Sequence, residues 1–162
     1  MGAHVAHGLA ERYREIRSSQ PLSAYIHTTF LDPFAASGLF RMRYGVRNFG
    51  RYADFAENYY TADDLVPFTN KPLLHAVNFD LSGLVPPREA PGFTYFHDFP
   101  VYFYRDSVGA GVLGFSLSPF ALEAFLPESH YRPEALEERL PPGTVIEVGN
   151  REGIAVDPPA TD

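Results

Sequence analysis

Between residues 3 and 17, Val5, Leu9 (or Ala6), Tyr13 and Ile16 recur at spacings of three and four, with Glu and Arg on the opposite side. That period predicts an amphipathic helix, which Ser18-Ser19-Gln20-Pro21 ends. A continuous apolar and β-branched run from Tyr25 to Leu31 then predicts a strand, reached by a short αβ connection. The run stops abruptly at Asp32-Pro33, because Pro33 cannot donate to a ladder and restricts the residue before it. Asp32 is therefore expected at the carboxyl end of a mostly buried strand, where open α/β sheets place ligand and catalytic groups.

Residues 35–54 are Gly- and Arg-rich with scattered aromatics and no clean period, and read as a long excursion over the surface. Phe55 to Tyr60 predicts a second strand, followed by the acidic turn Thr61-Ala-Asp-Asp-Leu-Val-Pro67; Leu73 to Leu81 predicts a third. A Pro/Gly loop from Pro86 to Gly92 leads to Phe93-Thr-Tyr-Phe-His97-Asp-Phe-Pro100. Val101 to Val108 reads as a short helix, with Pro100 in its first turn and Asp98 near its start. Farther on, Pro119, Pro127, Pro133, Pro141 and Pro142 punctuate two short helical pieces. Thr144–Val148 and Gly153–Val156 could form a small hairpin across Gly149-Asn150, and Asp157 to Asp162 is a loose tail. There is no internal repeat and no low-complexity block. The order of helices and strands places the chain in the α/β class.

Composition narrows the function classes. The chain has 162 residues, enough for one domain with its own core, and its 45% hydrophobic and 15% aromatic content argues for a folded chain. Thirteen basic against 20 acidic residues give a net charge of −7 with no basic cluster, which speaks against nucleic acid and anionic membrane as partners. With no Cys there is no disulfide, thiol nucleophile or Cys-type zinc site, and the compartment stays open. No run of 18 apolar residues exists, so stable membrane insertion is not expected, and the N-terminus, with two His and early charges, does not read as a signal peptide.

Of six histidines (His4, His7, His27, His75, His97, His130), His97 stands out. It is expected in a loop after a strand, just ahead of Asp98-Phe-Pro and a helix, where an imidazole held over strand ends makes a general base. The plain alternative is a surface loop histidine. His4 and His7 share a helix face and could bind a metal, but no third ligand is placed, so a solvated pair is favoured. His27 and His75 lie in apolar runs and read as structural. Asp63-Asp64 could be a cation site or a triad acid, with a solvated turn favoured. No serine sits in G-x-S-x-G; Gly114-Phe-Ser116-Leu-Ser118 comes nearest and lacks the closing Gly. P-loop, G-x-G-x-x-G, H-E-x-x-H and EF-hand patterns are absent, and no cofactor or metal is called for.

Met1-Gly2-Ala3-His4-Val5-Ala6 resembles the tail of Gly-His-Ser-Met-Gly-Ala-His-Val-Ala, the nucleophile elbow of lipase-type α/β-hydrolases, in which a serine on a tight strand-to-helix turn is followed by one residue and a Gly. Leu31-Asp32-Pro33 is similar to the strand end where pancreatic-like and related bacterial lipases carry their triad acid. Asn58-Tyr59-Tyr60 and Ala76 to Ser82 resemble later strands of bacterial secreted lipase-like proteins. His97-Asp-Phe-Pro100, with Tyr102 and Tyr104, resembles their His-x-x-Pro segment, whose histidine is the base. The order Ser, Asp, His matches the hydrolase order, and the resemblance covers roughly residues 1–108.

The resemblance implies a partial α/β-hydrolase fold, with residues 1–118 as the C-terminal half of the domain and 119–162 as a proline-rich extension. It implies a lipase or esterase acting on an ester or lipid substrate, with Asp32 orienting His97, while the serine and one oxyanion-hole donor lie upstream of Met1. The N–H of Met1 stands where the second donor would be, but as a free terminus it could not act so. Such a fragment is expected to be inactive alone, with an exposed apolar strand edge that favours self-association. Most α/β-hydrolases place the acid one strand later, a pattern that Thr61 to Pro67 resembles, so Asp64 is the second candidate for the acid. Bacterial members are often exported, which leans toward an extracellular compartment. The competing expectation is a non-enzymatic binding module in which Tyr13, Tyr59, Tyr60, Tyr95, Tyr102 and Tyr104 stack on a glycan or lipid, against their plain alternative as packing residues.

Overall fold

Four strands lie parallel in one sheet and follow each other in chain order: β1 (His27–Leu31), β2 (Phe55–Tyr60), β3 (Val77–Asp80) and β4 (Val145–Glu147). The computed structural model describes residues 2–19, 25–38, 41–85, 92, 94–109 and 141–147. Helix α1 (Gly2–Ser19) precedes the sheet, α2 (Tyr44–Asn48) lies between β1 and β2, and α3 (Tyr95–Gly109) follows β3 and a 3-10 turn at Ser82–Leu84. The chain is thus an α/β fold on a parallel sheet. Parallel neighbours cannot be joined by a tight hairpin, so each step must cross a face of the sheet.

Side-chain alternation along the strands divides the core in two. Phe55 and Tyr59 of β2 point to the face covered by Phe99 and Phe103 of α3, where Tyr59 stacks on Phe79 at 4.8 Å. Ala56 points to the opposite face, with Phe30 stacked on Phe49 at 5.4 Å and with Ala3 and Ala6 of α1 packed against them. β2, flanked by β1 and β3, is buried at every position, Glu57 and Asn58 included. Among the described residues β1 lies at the sheet's edge, and only Phe30 in it is fully buried. It is less buried than the mostly buried strand its composition predicts, because an edge strand has a neighbour on one side only.

Several elements differ from expectation, each for a physical reason. Helix α1 turns its small residues inward: Val5 and Leu9 are 60% and 66% exposed, while Ala6 packs on the core and Ala10 is buried. His4 and His7 are not a solvated pair. His4 sets its ring edge on Phe49 at 5.0 Å and its Nε2 lies 3.0 Å from the Ala36 carbonyl; His7 packs against Tyr52 at 5.2 Å and is 5% exposed. Burial holds the His7 imidazole below its usual pKa.

Residues 35–54 are no surface excursion, since Ala35, Ala36, Val46 and Phe49 are buried. Helix α2 has only five residues, too few to show a period. Gly45 allows its close approach: a Cβ there would lie 2.7 Å from the Ala35 Cα. The third strand starts at Val77 rather than Leu73, because the buried Asn78 side chain takes the Leu73 N–H (2.7 Å) and carbonyl (3.0 Å) and holds that segment out of the ladder. Val145–Glu147, within the expected 144–148 strand, pairs with β3 in parallel, Phe79 opposite Ile146. The stretch assigned to the extension thus supplies the sheet's fourth strand. Residues 153–156, the helical pieces before Pro141, the tail, Ser116, Ser118 and His130 lie outside the described residues. Among the described residues no helix is long and apolar enough to cross a membrane.

Candidate functional site

The carboxyl ends of β1 and β2 lie side by side, Leu31 opposite Tyr59, and both continue into acidic residues. Asp32 extends the ladder by one bond, its N–H donating to the Tyr59 carbonyl at 2.8 Å, then turns away with φ of 43°. Aspartate tolerates this left-handed conformation better than most residues, at a cost of order 1 kcal/mol. Its carboxyl is buried, as the strand-end position predicts.

Asp64 is also buried, contrary to the solvated turn expected of it, whereas Asp63 is exposed. Its turn is closed by its own N–H on the Thr61 carbonyl (3.2 Å) and by the Val66 N–H on Oδ1 (2.9 Å). The Thr69 hydroxyl sits between Asp64 Oδ2 and the Val66 carbonyl.

His97 meets both acids. Its Nδ1 lies 2.8 Å from Asp32 Oδ2 and 3.3 Å from Asp64 Oδ2. The residue is in the first turn of α3 and not in a loop ahead of it, since the helix begins at Tyr95 instead of Val101. Its side chain is 32% exposed while both carboxyls are fully covered. In the tautomer whose Nδ1–H donates to Asp32 Oδ2, Nε2 is left as the lone-pair nitrogen.

Two buried carboxyls against one imidazole cannot both ionise freely. Burial, then the hydrogen bond and charge of Asp64, then the charge of Asp98, push the Asp32 carboxyl up to about 9. The Asp32 carboxyl therefore keeps its proton through the neutral range. Asp32, Asp64 and His97 also form the group, among the described residues, that could hold a metal ion: one donor atom from each lies within 4.8 Å of the others.

His97 and Asp32 line a cleft of about 370 Å³ together with Gly2, Ala3 and Ala6, so the first turn of α1 and the imidazole face the same space. Phe34 stands at this cleft 45% exposed, its ring edge-on to Phe68 at 5.9 Å; Phe68 is 37% exposed at φ of 68°, a strained value for a bulky residue. A larger groove of about 590 Å³ runs between α1 and the edge of β1, but its lining of Leu9, Tyr13, Ile16 and Tyr25 to Thr28 contains no carboxylate.

The resemblance paired Asp32 with His97 and held Asp64 as the alternative acid; it missed that one ring meets both acids. It also missed a third buried acid, Glu57. That side chain accepts the Thr29 hydroxyl (2.7 Å) and the Tyr59 hydroxyl (3.1 Å) and faces His27 Nε2 at 3.2 Å. A lone Glu inside an all-buried strand was the available signal. His27 and half-buried His75 sit as structural histidines. Tyr59, Tyr60 and Tyr95 are buried in the core, which removes half of the six tyrosines proposed as a stacking surface. No known protein family, curated protein or solved structure matches this chain.

Proposed function

We propose that this chain carries the acid and the base of a serine ester hydrolase of the lipase or esterase type, in a partial α/β-hydrolase fold. The observation that carries the reading is the 2.8 Å pairing of His97 Nδ1 with Asp32 at the strand end, beside the cleft that the first turn of α1 also lines. A serine supplied by sequence preceding Met1, on the turn that enters α1, would enter that cleft. His97 Nε2 would take the serine proton and return it to the leaving alcohol, while the acid pair orients the ring and stabilises its cation. Asp32 is the acid in closer contact, with Asp64 beside it. The exposed Phe34 and Phe68 supply an apolar rim suited to the acyl chain of a lipid-type ester. Among the described residues β1 ends the sheet, an edge that would favour self-association.

The test is to express the product that includes the coding sequence upstream of Met1 and to follow hydrolysis of a short p-nitrophenyl ester. An in-frame Gly-x-Ser, with turnover that falls about 10³-fold or more in both His97→Ala and the double substitution Asp32→Asn, Asp64→Asn, supports the reading. Turnover indifferent to these changes, or a stop codon directly upstream, refutes it. The Asp32–Asp64–His97 donor set favours a second reading, a divalent-cation site, which predicts micromolar zinc binding lost in Asp64→Asn. Burial of the core tyrosines disfavours the glycan or lipid stacking module.

A further inference from the structure

The helix that carries His97 contains a residue that breaks its own ladder. In α3 the N–H of residue 100 would bond the Phe96 carbonyl, but Pro100 has no N–H and its ring crowds that oxygen. The Phe96 carbonyl instead accepts the hydroxyl of Thr61 at 2.9 Å. Thr61 is fully buried and is the first residue past β2. The carbonyl it holds belongs to the rigid peptide plane that joins Phe96 to His97, so fixing that plane fixes the direction in which the His97 side chain leaves the backbone. Thr61 acts at its other end as well, since its own carbonyl takes the Asp64 N–H at 3.2 Å and closes the acid turn.

We propose that Thr61 is the positioning residue of this site: its hydroxyl occupies the carbonyl vacated by Pro100 and so sets His97 Nδ1 against the two carboxyls. A residue without a hydroxyl would leave the Phe96 carbonyl without this partner and free the first turn of α3 to rotate. A hydroxyl at this position answers the proline four residues past the carbonyl. The two are one device built from separate elements. The consequence for catalysis rests on the reading of His97 as the base; the geometry itself does not, and it is tested without turnover.

The experiment is NMR of the full chain with ¹⁵N-labelled histidine, following the hydrogen-bonded Nδ1 proton of His97 and its pH dependence. Thr61→Val, nearly isosteric, should abolish or broaden that resonance, and Thr61→Ser should retain it. In Thr61→Val, Pro100→Ala the helix regains its own N–H for the Phe96 carbonyl, and the resonance should return. A Thr61→Val resonance unchanged in position and titration overturns the proposal, as does a double variant that is folded by circular dichroism yet lacks the signal. Should Thr61→Val fail to fold, recovery of fold and resonance in the double variant supports the proposal, and failure of both overturns it. In the longer product Thr61→Val should lower kcat about 10- to 100-fold with KM little changed. The NMR response without any esterase activity would sink the hydrolase reading and leave the role of Thr61 standing.

Discussion

Two buried acid–histidine pairs occupy this small sheet, and they differ in what they leave over. Glu57 lies mid-strand in β2 and is enclosed by side chains of the sheet itself, Thr29 and His27 from β1 and Tyr59 from its own strand. Its partner His27 is only 14% exposed. Asp32 lies one residue past a strand end, beside a second acid, and its histidine comes from a helix with the side chain 32% exposed to a cleft. The first pair ties two strands together. The second pair engages Nδ1 of His97 with the acids while the residue lines the cleft, which is what the proposed general-base role needs. A buried acid and histidine in contact are therefore no sign of chemistry by themselves; position at a strand end and an accessible ring separate the two.

The comparison can be broken most sharply by Glu57→Ala. It strands the Thr29 and Tyr59 hydroxyls and opens a cavity, and should cost about 3 kcal/mol or more in urea unfolding. In the longer product it should lower kcat far less than His97→Ala does. If kcat fell as much as with His97→Ala, the division into a structural and a reactive pair would be wrong.

Next in size is a pH effect confined to the strand-end pair. The Asp32 carboxyl is pushed up to about 9, so between the ordinary aspartate range and that value the folded chain binds a proton that the unfolded chain has lost. Stability then falls as pH rises through this window. Urea midpoints at pH 5, 7 and 9 should decline in order, and Asp32→Asn should flatten the decline. A midpoint that rises across the window would exclude a proton held on Asp32.

The smallest expected effect is that of Thr29→Val, which removes one hydroxyl from Glu57. It should cost about 1 to 2 kcal/mol, leave the Glu57 variants' effects no longer additive with it, and leave the His97 NMR titration unmoved. A shifted His97 titration would show that the two pairs are coupled through β1.

Some of this architecture was legible because the deciding signal is local. The aromatic positions from Phe55 to Tyr60 mark β2 as a strand, and Pro33 marks where β1 must stop, so Asp32 was placed correctly at a strand end. Other features misled for equally definite reasons. Pro100 reads as the first turn of a helix because proline is tolerated there. Its true place is the second turn, made possible by a hydroxyl 39 positions earlier in the chain, which frees the helix to begin at Tyr95 and to carry His97. Helix α2, with five residues, has no period to read.

What the sequence determined by itself was the α/β class, the strands around Asp32 and Asp64, and the residue types able to act as acid and base, since these follow from short-range pattern and side-chain chemistry. Only the tertiary structure decided that both acids meet one imidazole. That outcome depends on β1 and β2 being parallel neighbours in register, which brings two distant strand ends together, and on Thr61 reaching across to α3. Parallel pairing and side-chain-to-carbonyl bonds over such separations leave no periodic trace along the chain, because they are settled by which faces the core brings into contact.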